Sequence, residues 1–437
     1  MHQTTRIAVT GIAGGGKTVF MTSLIWQLAE FADADFNVGG RVEFSGFREL
    51  ATRREYGAVF PFERFRDYMA KKKAWPAKTT DCSHYAFEIR RSDKILFKQR
   101  IHLFDFPGER IADAAIVAFR NYEDWSRHML NYWADHSDYQ RAIAPYMELL
   151  EQPGVTYSEL IQGYKLALAR LILGYHPLIS PSTFLLDTKG QQADGSTPEI
   201  LAATRLTGLP GAEFCPLPEN LSSRFNGIGR EMARHYRTYR QRVALPVFKE
   251  LAECDRVVVL VDIPYLLNGG VGRYNDNRQI LLDFIDTLRF DSGLGAKIMR
   301  IIKIWRKPLS RIAYVASKAD MVHPDDIENG RLEGLLRQMT SRTVNLMSNI
   351  RMNWFVCAAC QSSRRGTEPY HLIATLDCNN PEHKEMEFAV PPVPENWPQD
   401  WQAGDFRYYR FAPQTVPNIQ TPPKHRGLDK VFEFITK

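Results

Sequence analysis

Gly11-Ile12-Ala13-Gly14-Gly15-Gly16-Lys17-Thr18 fits G-x-x-x-x-G-K-[ST] without a mismatch, and its flanks decide how it reads. Arg6-Ile7-Ala8-Val9-Thr10 before it has the pattern of a short buried strand, and Val19 to Phe31 after it that of a helix. A strand that delivers such a loop to a helix N-terminus aims successive backbone N–H groups, and the positive end of the helix dipole, at one point. That point suits phosphate. Lys17 offers a compact cation to the β- and γ-phosphates, and the Thr18 hydroxyl a ligand for Mg²⁺.

Four further segments extend the reading. Gln99-Arg100-Ile101-His102-Leu103-Phe104 alternates as a strand does and ends in Asp105-Phe106-Pro107-Gly108, a D-x-x-G. A carboxylate at a strand end facing a phosphate loop can hold Mg²⁺, commonly through water, and the Gly108 N–H can meet a γ-phosphate. Arg311 to Ala316 is followed by Ser317-Lys318-Ala319-Asp320, which matches [NTS]-K-x-D. Asp320 can accept from guanine N1 and N2, a donor pair that adenine lacks, while the Lys318 stem can lie along the ring. Cys254 to Asp262 is the apolar run of a fully covered parallel strand. Trp354 to Ala359 is another, ending where the N–H groups of Ala358 and Ala359 could touch a guanine carbonyl. The expected fold is therefore α/β: a Ras-like P-loop NTPase (G) domain with a mainly parallel sheet.

On these residues the chain resembles the YcjX-like stress-protein GTPases. The likeness rests on Gly11 to Phe20, on Trp75-Pro76 with Thr79, on Asp105 to Glu109, and on Ala316 to Asp320 with His323-Pro324. It implies a Ras-like domain carrying a large helical insertion, a bacterial cytoplasmic location, a stress-response connection, and GTP or GDP with Mg²⁺ as cofactors. It also implies nucleotide contacts from Ala13, Gly14, Gly15, Gly16, Lys17, Thr18, Val19, Trp75, Asp105, Gly108, Lys318, Asp320, Met321, Ala358 and Ala359. The chain departs from the family where Ala13-Gly14 replace Ser-Arg, where Arg110 replaces an aromatic residue, and where Met321 replaces His. The first change removes a cation near the phosphates.

The 437 residues exceed one core, and 44% hydrophobic with 24% charged residues is the composition of an ordinary soluble protein. No stretch is apolar enough to span a membrane and Met1 to Thr5 is no signal peptide, so residence in the cytoplasm is expected. A net charge of +6 without a basic block argues against nucleic acid. Arg224, Arg230, Arg234, Arg237, Arg240 and Arg242 share one helix, which reads first as a solvated face and otherwise as a contact for an acidic membrane or protein partner. Six scattered cysteines suggest reduced thiols. Cys357, Cys360, Cys378 and His383 could in principle hold zinc, but a metal there would crowd the base, and packing thiols are expected instead.

The expected divisions are 1–108 for the first part of the G domain, 109–251 for an all-helical insertion, 252–365 for the second part, and 366–437 for a small β-containing cap with a closing helix. Within the first part, Arg48 to Lys73 looks helical with a break at Pro61. The stretch after it precedes the strand that pairs with the D-x-x-G strand, which is the place of a switch. Thr79, or next Thr80, is the threonine there that can bind Mg²⁺ and sense the γ-phosphate. Glu109, just beyond D-x-x-G, can accept from the attacking water, and Arg110 can stabilise transferred charge as an arginine finger. The expected Mg²⁺ ligands are Thr18, Thr79 and Asp105. The function so read is a GTP-hydrolysing switch, slow without an unidentified protein partner, for which a membrane-associated protein is one option. The alternatives are a nucleotide-stabilised scaffold and an ATPase using the same loop.

Overall fold

Ile7, Ala8 and Val9 are fully buried, which places the first strand inside a sheet and away from its edge. In the computed structural model this strand, β1 (His2–Gly11), is the centre of an eight-stranded sheet. The structure describes residues 2–11, 14–30, 44–51, 58–76, 82–91, 98–106, 108–111, 113–134, 137–175, 211–219, 225–288, 309–344, 350–377 and 384–437. The other strands are β2 (Phe44–Glu49), β3 (Ala58–Val59), β4 (Ser83–Arg91), β5 (Lys98–Asp105), β6 (Arg256–Val261), β7 (Arg311–Ala316) and β8 (Arg351–Val356). Their order is β2-β4-β5-β1-β6-β7-β8, with β3 beside β4. β5, β1, β6, β7 and β8 run parallel, whereas β4 is antiparallel to both β5 and β2. The sheet is mixed and mainly parallel, and the C-terminal ends of β1, β6 and β7 deliver their loops to one edge.

One face of this sheet carries Ile7, Val9, Phe87, Ile101, Leu103, Val258, Leu260 and Val315, and it packs against α1 (Lys17–Glu30) and α2 (Phe62–Lys72). α1 is buried nearly all round, from Phe20 and Met21 to Leu28, as a helix between a sheet and another layer must be. The C-terminal segment supplies that layer: Trp26 Nε1 donates to the Ile419 carbonyl and Gln27 Nε2 to the Pro423 carbonyl, each at 2.7 Å. The closing helix Leu428–Thr436 sends Val431, Phe432 and Ile435 into the same core. β9 (Ser363–Arg365), β10 (His371–Ala374) and β11 (Met386–Ala389) form a separate three-stranded antiparallel sheet.

The expected helix from Arg48 is replaced by the end of β2. Phe47 stacks on Phe87 of β4 at 5.3 Å, so alternation across a sheet prevails here over the helical spacing; the helix proper begins at Phe62, after Pro61. α2 ends at Lys73 in the left-handed conformation, φ 51°.

The chain divides into two units, one of residues 1–108, 251–271 and 306–437, the other of 109–250 and 272–305. The second unit therefore takes in 272–305, which the sequence reading had placed in the nucleotide-binding part. The reason is polar as well as apolar: Tyr132 donates to Asp276 at 2.7 Å, and the His128 imidazole lies 3.8 Å from Asp283. The described elements of this unit are helical. Helices Tyr122–Ala134, Ser137–Glu151, Tyr157–Tyr175 and Asn226–Tyr239 enclose Trp125, Trp133, Tyr146, Tyr164, Phe214 and Tyr236. Trp125, Met129 and Trp133, at four-residue spacing, are buried there, as are Phe225, Met232, Tyr236 and Tyr239. Among the described residues no helix is long and apolar enough to cross a membrane.

Candidate nucleotide site

β1 ends in Gly11 at φ +147°, where a Cβ would stand 2.2 Å from the Leu260 carbonyl oxygen of β6. Only glycine lets the two strands stay paired while the chain turns into the loop. Gly14 and Gly16 also take positive φ, +82° and +85°, and α1 starts at Lys17 with its first turn closed by Phe20 N–H to Gly16 O, 2.8 Å. Gly15 is buried and Gly14 exposed; Ala13 lies outside the described residues. Lys17 is 8% exposed, its ammonium turned back 3.3 Å from the Gly11 carbonyl. Thr18 and Val19 follow it, half-buried, in the same first turn of α1. A lysine held over a loop of this shape is arranged for an anion.

Asp105 closes β5, fully buried, directly across from Val9 of β1, and the next residue, Phe106, donates its N–H to the Val9 carbonyl at 3.0 Å. The parallel register thus brings the D-x-x-G carboxylate beside the strand that leads into the phosphate loop. Gly108 begins a single helical turn, Gly108–Ile111. Glu109 and Arg110 continue that turn and belong to the second unit. There the Arg110 guanidinium lies 3.5 Å from the Tyr239 hydroxyl and 3.8 Å from Asp113, and Tyr239 donates to Asp113 at 2.9 Å. Thr79 and Thr80 lie outside the described residues. Trp75, expected near the nucleotide, donates its indole N–H to the Phe411 carbonyl at 2.7 Å and packs on the main core.

The base loop follows β7. Ser317 N–H donates to the Val261 carbonyl at 2.9 Å, and Lys318 takes the left-handed conformation, φ 56°, uncommon for a side-chain-bearing residue. That turn sends the Lys318 stem past the phosphate loop: its Cε is 3.9 Å from where a Cβ on Gly16 would be. Its ammonium ends 2.6 Å from Asp262 Oδ2. Asp262 is buried at the end of β6 and also accepts from the Tyr265 N–H at 3.0 Å, capping the helix Ile263–Asn268. The sequence reading gave Asp262 no role. Its signal was a carboxylate closing an otherwise apolar strand, at the same end of the sheet as the phosphate loop.

Asp320 and Met321 form a short 3₁₀ turn, both 7% exposed. Burial pushes the Asp320 carboxyl up to about 6, against the opposing pull of the backbone N–H groups of Asp320 and Ser362 and of the Lys318 ammonium. Ser363 Oγ donates to the Asp320 carbonyl at 2.5 Å, and Ala319 N–H to the Cys357 carbonyl at 3.2 Å, which fixes the turn against the loop after β8. In that loop the Ala358 N–H already donates to the Arg426 carbonyl at 3.0 Å. The next amide along is that of Ala359. The buried Ser317 hydroxyl has no hydrogen-bond partner among the described residues.

Cys357 and Cys360 are buried beside this loop, and burial raises both thiols, Cys360 to about 12, which favours the protonated form over the thiolate a metal needs. Cys378 and His383 lie outside the described residues.

The protein named Ras-like GTPase YcjX of Escherichia coli (strain K12) is 25% identical over 476 residues, covering 98% of this chain and 94% of that protein. The protein of the same name from Shewanella oneidensis MR-1 is 23% identical, covering 98% of this chain and 93% of its own length. The sequence profile of the YcjX-like family, DUF463, matches residues 5–437, and the chain belongs to that family.

Proposed function

We propose that this chain binds GTP and GDP with Mg²⁺ and hydrolyses GTP slowly, as a switch. The observation that carries the reading is Lys318, whose stem passes Gly16 while its ammonium is held on Asp262, so that one side chain joins the phosphate loop to the guanine-reading turn. The name Ras-like GTPase borne by relatives that align over nearly the whole chain supports the same reading.

In this scheme Lys17 and the loop amides bind the phosphates, Asp320 accepts from guanine N1 and N2, and Ala359 N–H meets the guanine carbonyl. Thr18, Thr79 and Asp105 are the residues to hold Mg²⁺, which when bound neutralises charge between the β- and γ-phosphates. Glu109 orients the attacking water. Arg110 is engaged by Tyr239 and Asp113, so service as a finger requires those contacts to break, consistent with slow unassisted turnover. A stress-linked cytoplasmic role with a protein partner follows from the family resemblance. Calorimetry with GDP, GTP, ADP and ATP in Mg²⁺ tests the reading: guanine nucleotides should bind at least about tenfold tighter, as polar readout of a base allows. Equal affinity for ADP and GDP would refute it.

A further inference from the structure

The loop after β8 is the neck of a long excursion of the chain. The backbone passes outward at Ala358, builds the β9–β11 sheet, and comes back to Ala358 at Arg426 before entering the closing helix Leu428–Thr436. Ala358 N–H donates to the Arg426 carbonyl at 3.0 Å and Arg426 N–H to the Ala358 carbonyl at 2.9 Å. Further out, Gln361 N–H donates to the Lys424 carbonyl at 2.7 Å. These backbone bonds close the neck beside Ala359, whose amide is the one left to meet a base.

Both limbs of the neck bear on the Asp320 turn. On the outgoing limb the Ser362 N–H donates to the Asp320 carboxylate, and Ser363 Oγ donates to the Asp320 carbonyl at 2.5 Å. On the returning limb Gly427 sits at φ +72°, where a Cβ would stand 2.3 Å from the Val356 carbonyl oxygen at the end of β8. The next residue of that strand end, Cys357, accepts the Ala319 N–H at 3.2 Å, so the close approach at Gly427 reaches the turn of Asp320 through two backbone contacts. The returning limb is itself pinned. Gln27 Nε2 of α1 donates to the Pro423 carbonyl at 2.7 Å, and Lys424 N–H donates to Gln414 Oε1 at 2.8 Å.

We propose that this neck sets the selectivity of the nucleotide site for guanine, with Gly427 as a positioning residue that acts through Ala359 and Asp320. The assignment rests on the guanine reading of the base turn proposed above. Two groups that read one purine edge are selective only while each stays within about 0.5 Å of its productive place. The outgoing limb holds the carboxylate of the pair and the returning limb holds the strand end that carries the amide. A side chain at Gly427 pushes that strand end away and separates the two, while the phosphate loop, carried by β1 and α1, keeps its shape.

The test compares GDP and ADP affinity, by calorimetry on the full chain, in wild type, Gly427→Ala and Gly330→Ala. Gly330 has nearly the same φ, +71°, with open space where a Cβ would be, so it reproduces the backbone strain without the push on β8. Gly427→Ala should bind GDP about tenfold more weakly, the loss of one hydrogen bond to a charged group, and bind ADP as wild type does, because the phosphate loop alone holds ADP. Gly330→Ala should keep the wild-type ratio of the two affinities. An unchanged ratio in Gly427→Ala, an equal loss of GDP and ADP there, or the same loss of selectivity in Gly330→Ala would each overturn the proposal. A wild type without guanine preference would overturn the reading of the base turn as well, whereas a selective wild type beside a selective Gly427→Ala removes the role of the neck alone. Should Gly427→Ala fail to fold, Ser363→Ala decides: losing one neutral hydrogen bond to the Asp320 carbonyl should lower the preference for GDP over ADP about fivefold, and an unchanged preference would refute the proposal.

Discussion

Replacing Asp320 by asparagine should weaken nucleotide binding and stabilise the nucleotide-free protein at the same time. Burial holds the Asp320 carboxyl at about 6 against an ordinary 3.8, a difference of about 3 kcal/mol between folded and unfolded chains. Because the folded state holds this proton more tightly than the unfolded chain does, the contribution to stability is fully present below about pH 3.8. It is lost as pH rises through about 6. Asp320→Asn carries no such charge. The variant should therefore exceed wild type by up to about 3 kcal/mol near pH 7.5 and lose that advantage near pH 4, as urea unfolding at the two pH values would show. Guanine reverses the balance, since its N1–H and N2–H groups donate to the carboxylate and favour ionisation. GDP affinity in wild type should fall toward tenfold per pH unit below about 6 and level off above about 7, with proton release on binding in acid, measured in buffers of different ionisation enthalpy. A GDP affinity flat from pH 5 to 8, or identical pH dependence of stability in wild type and variant, would refute the reasoning.

Five substitutions probe the rest of the site. Gly11→Ala puts a methyl group 2.2 Å from the Leu260 carbonyl oxygen and should destabilise the fold by roughly 2–4 kcal/mol, visible as a lowered thermal midpoint; an unchanged midpoint would mean the strand ends are not held as described. Lys17→Ala should largely abolish nucleotide binding, whereas Thr18→Ala should chiefly remove its dependence on Mg²⁺, both read by calorimetry with and without the metal. Asp262→Asn keeps a helix cap but loses the charge on Lys318, so GDP should bind about fivefold more weakly, near 1 kcal/mol for a partly exposed pair, with the fold intact by circular dichroism. Glu109→Ala should lower single-turnover GTP hydrolysis and leave GDP affinity unchanged, because GDP lacks the γ-phosphate; wild-type turnover would remove Glu109 from the catalytic set.

The strand before Gly11, the helix from Lys17, the Asp105 strand and the turn after β7 were legible as structure because each is a rigid local pattern. Glycines at positive φ, a buried strand before them and a helix after them are all readable within twenty residues. What failed to show was set by partners distant in sequence. Arg48 has helical neighbours in composition, yet Phe47 finds Phe87 across a strand pair, and that contact fixes the backbone. The segment beyond Gly272 comes after β6 and was read with it, although Asp276 is claimed by Tyr132, 144 residues earlier. Asp262 was in view as the end of an apolar run, but its meaning depends on Lys318 arriving from another strand end.

Three unfavourable features of the first unit lie at one edge of the sheet. Gly11 closes a contact no other residue permits, Lys318 holds a left-handed backbone that costs about 1 kcal/mol, and Asp320 keeps a carboxyl buried well above its ordinary titration point. None of these helps the fold, and each is held in place by neighbours that do: β6 buried along its whole length, α1 buried nearly all round, and the closing helix packed beneath β7 and β8. A core that over-determines strained loops keeps them preorganised. On the proposed function, a nucleotide that donates to Asp320 would relieve its buried charge, so part of the stability forgone in the empty protein would return as affinity.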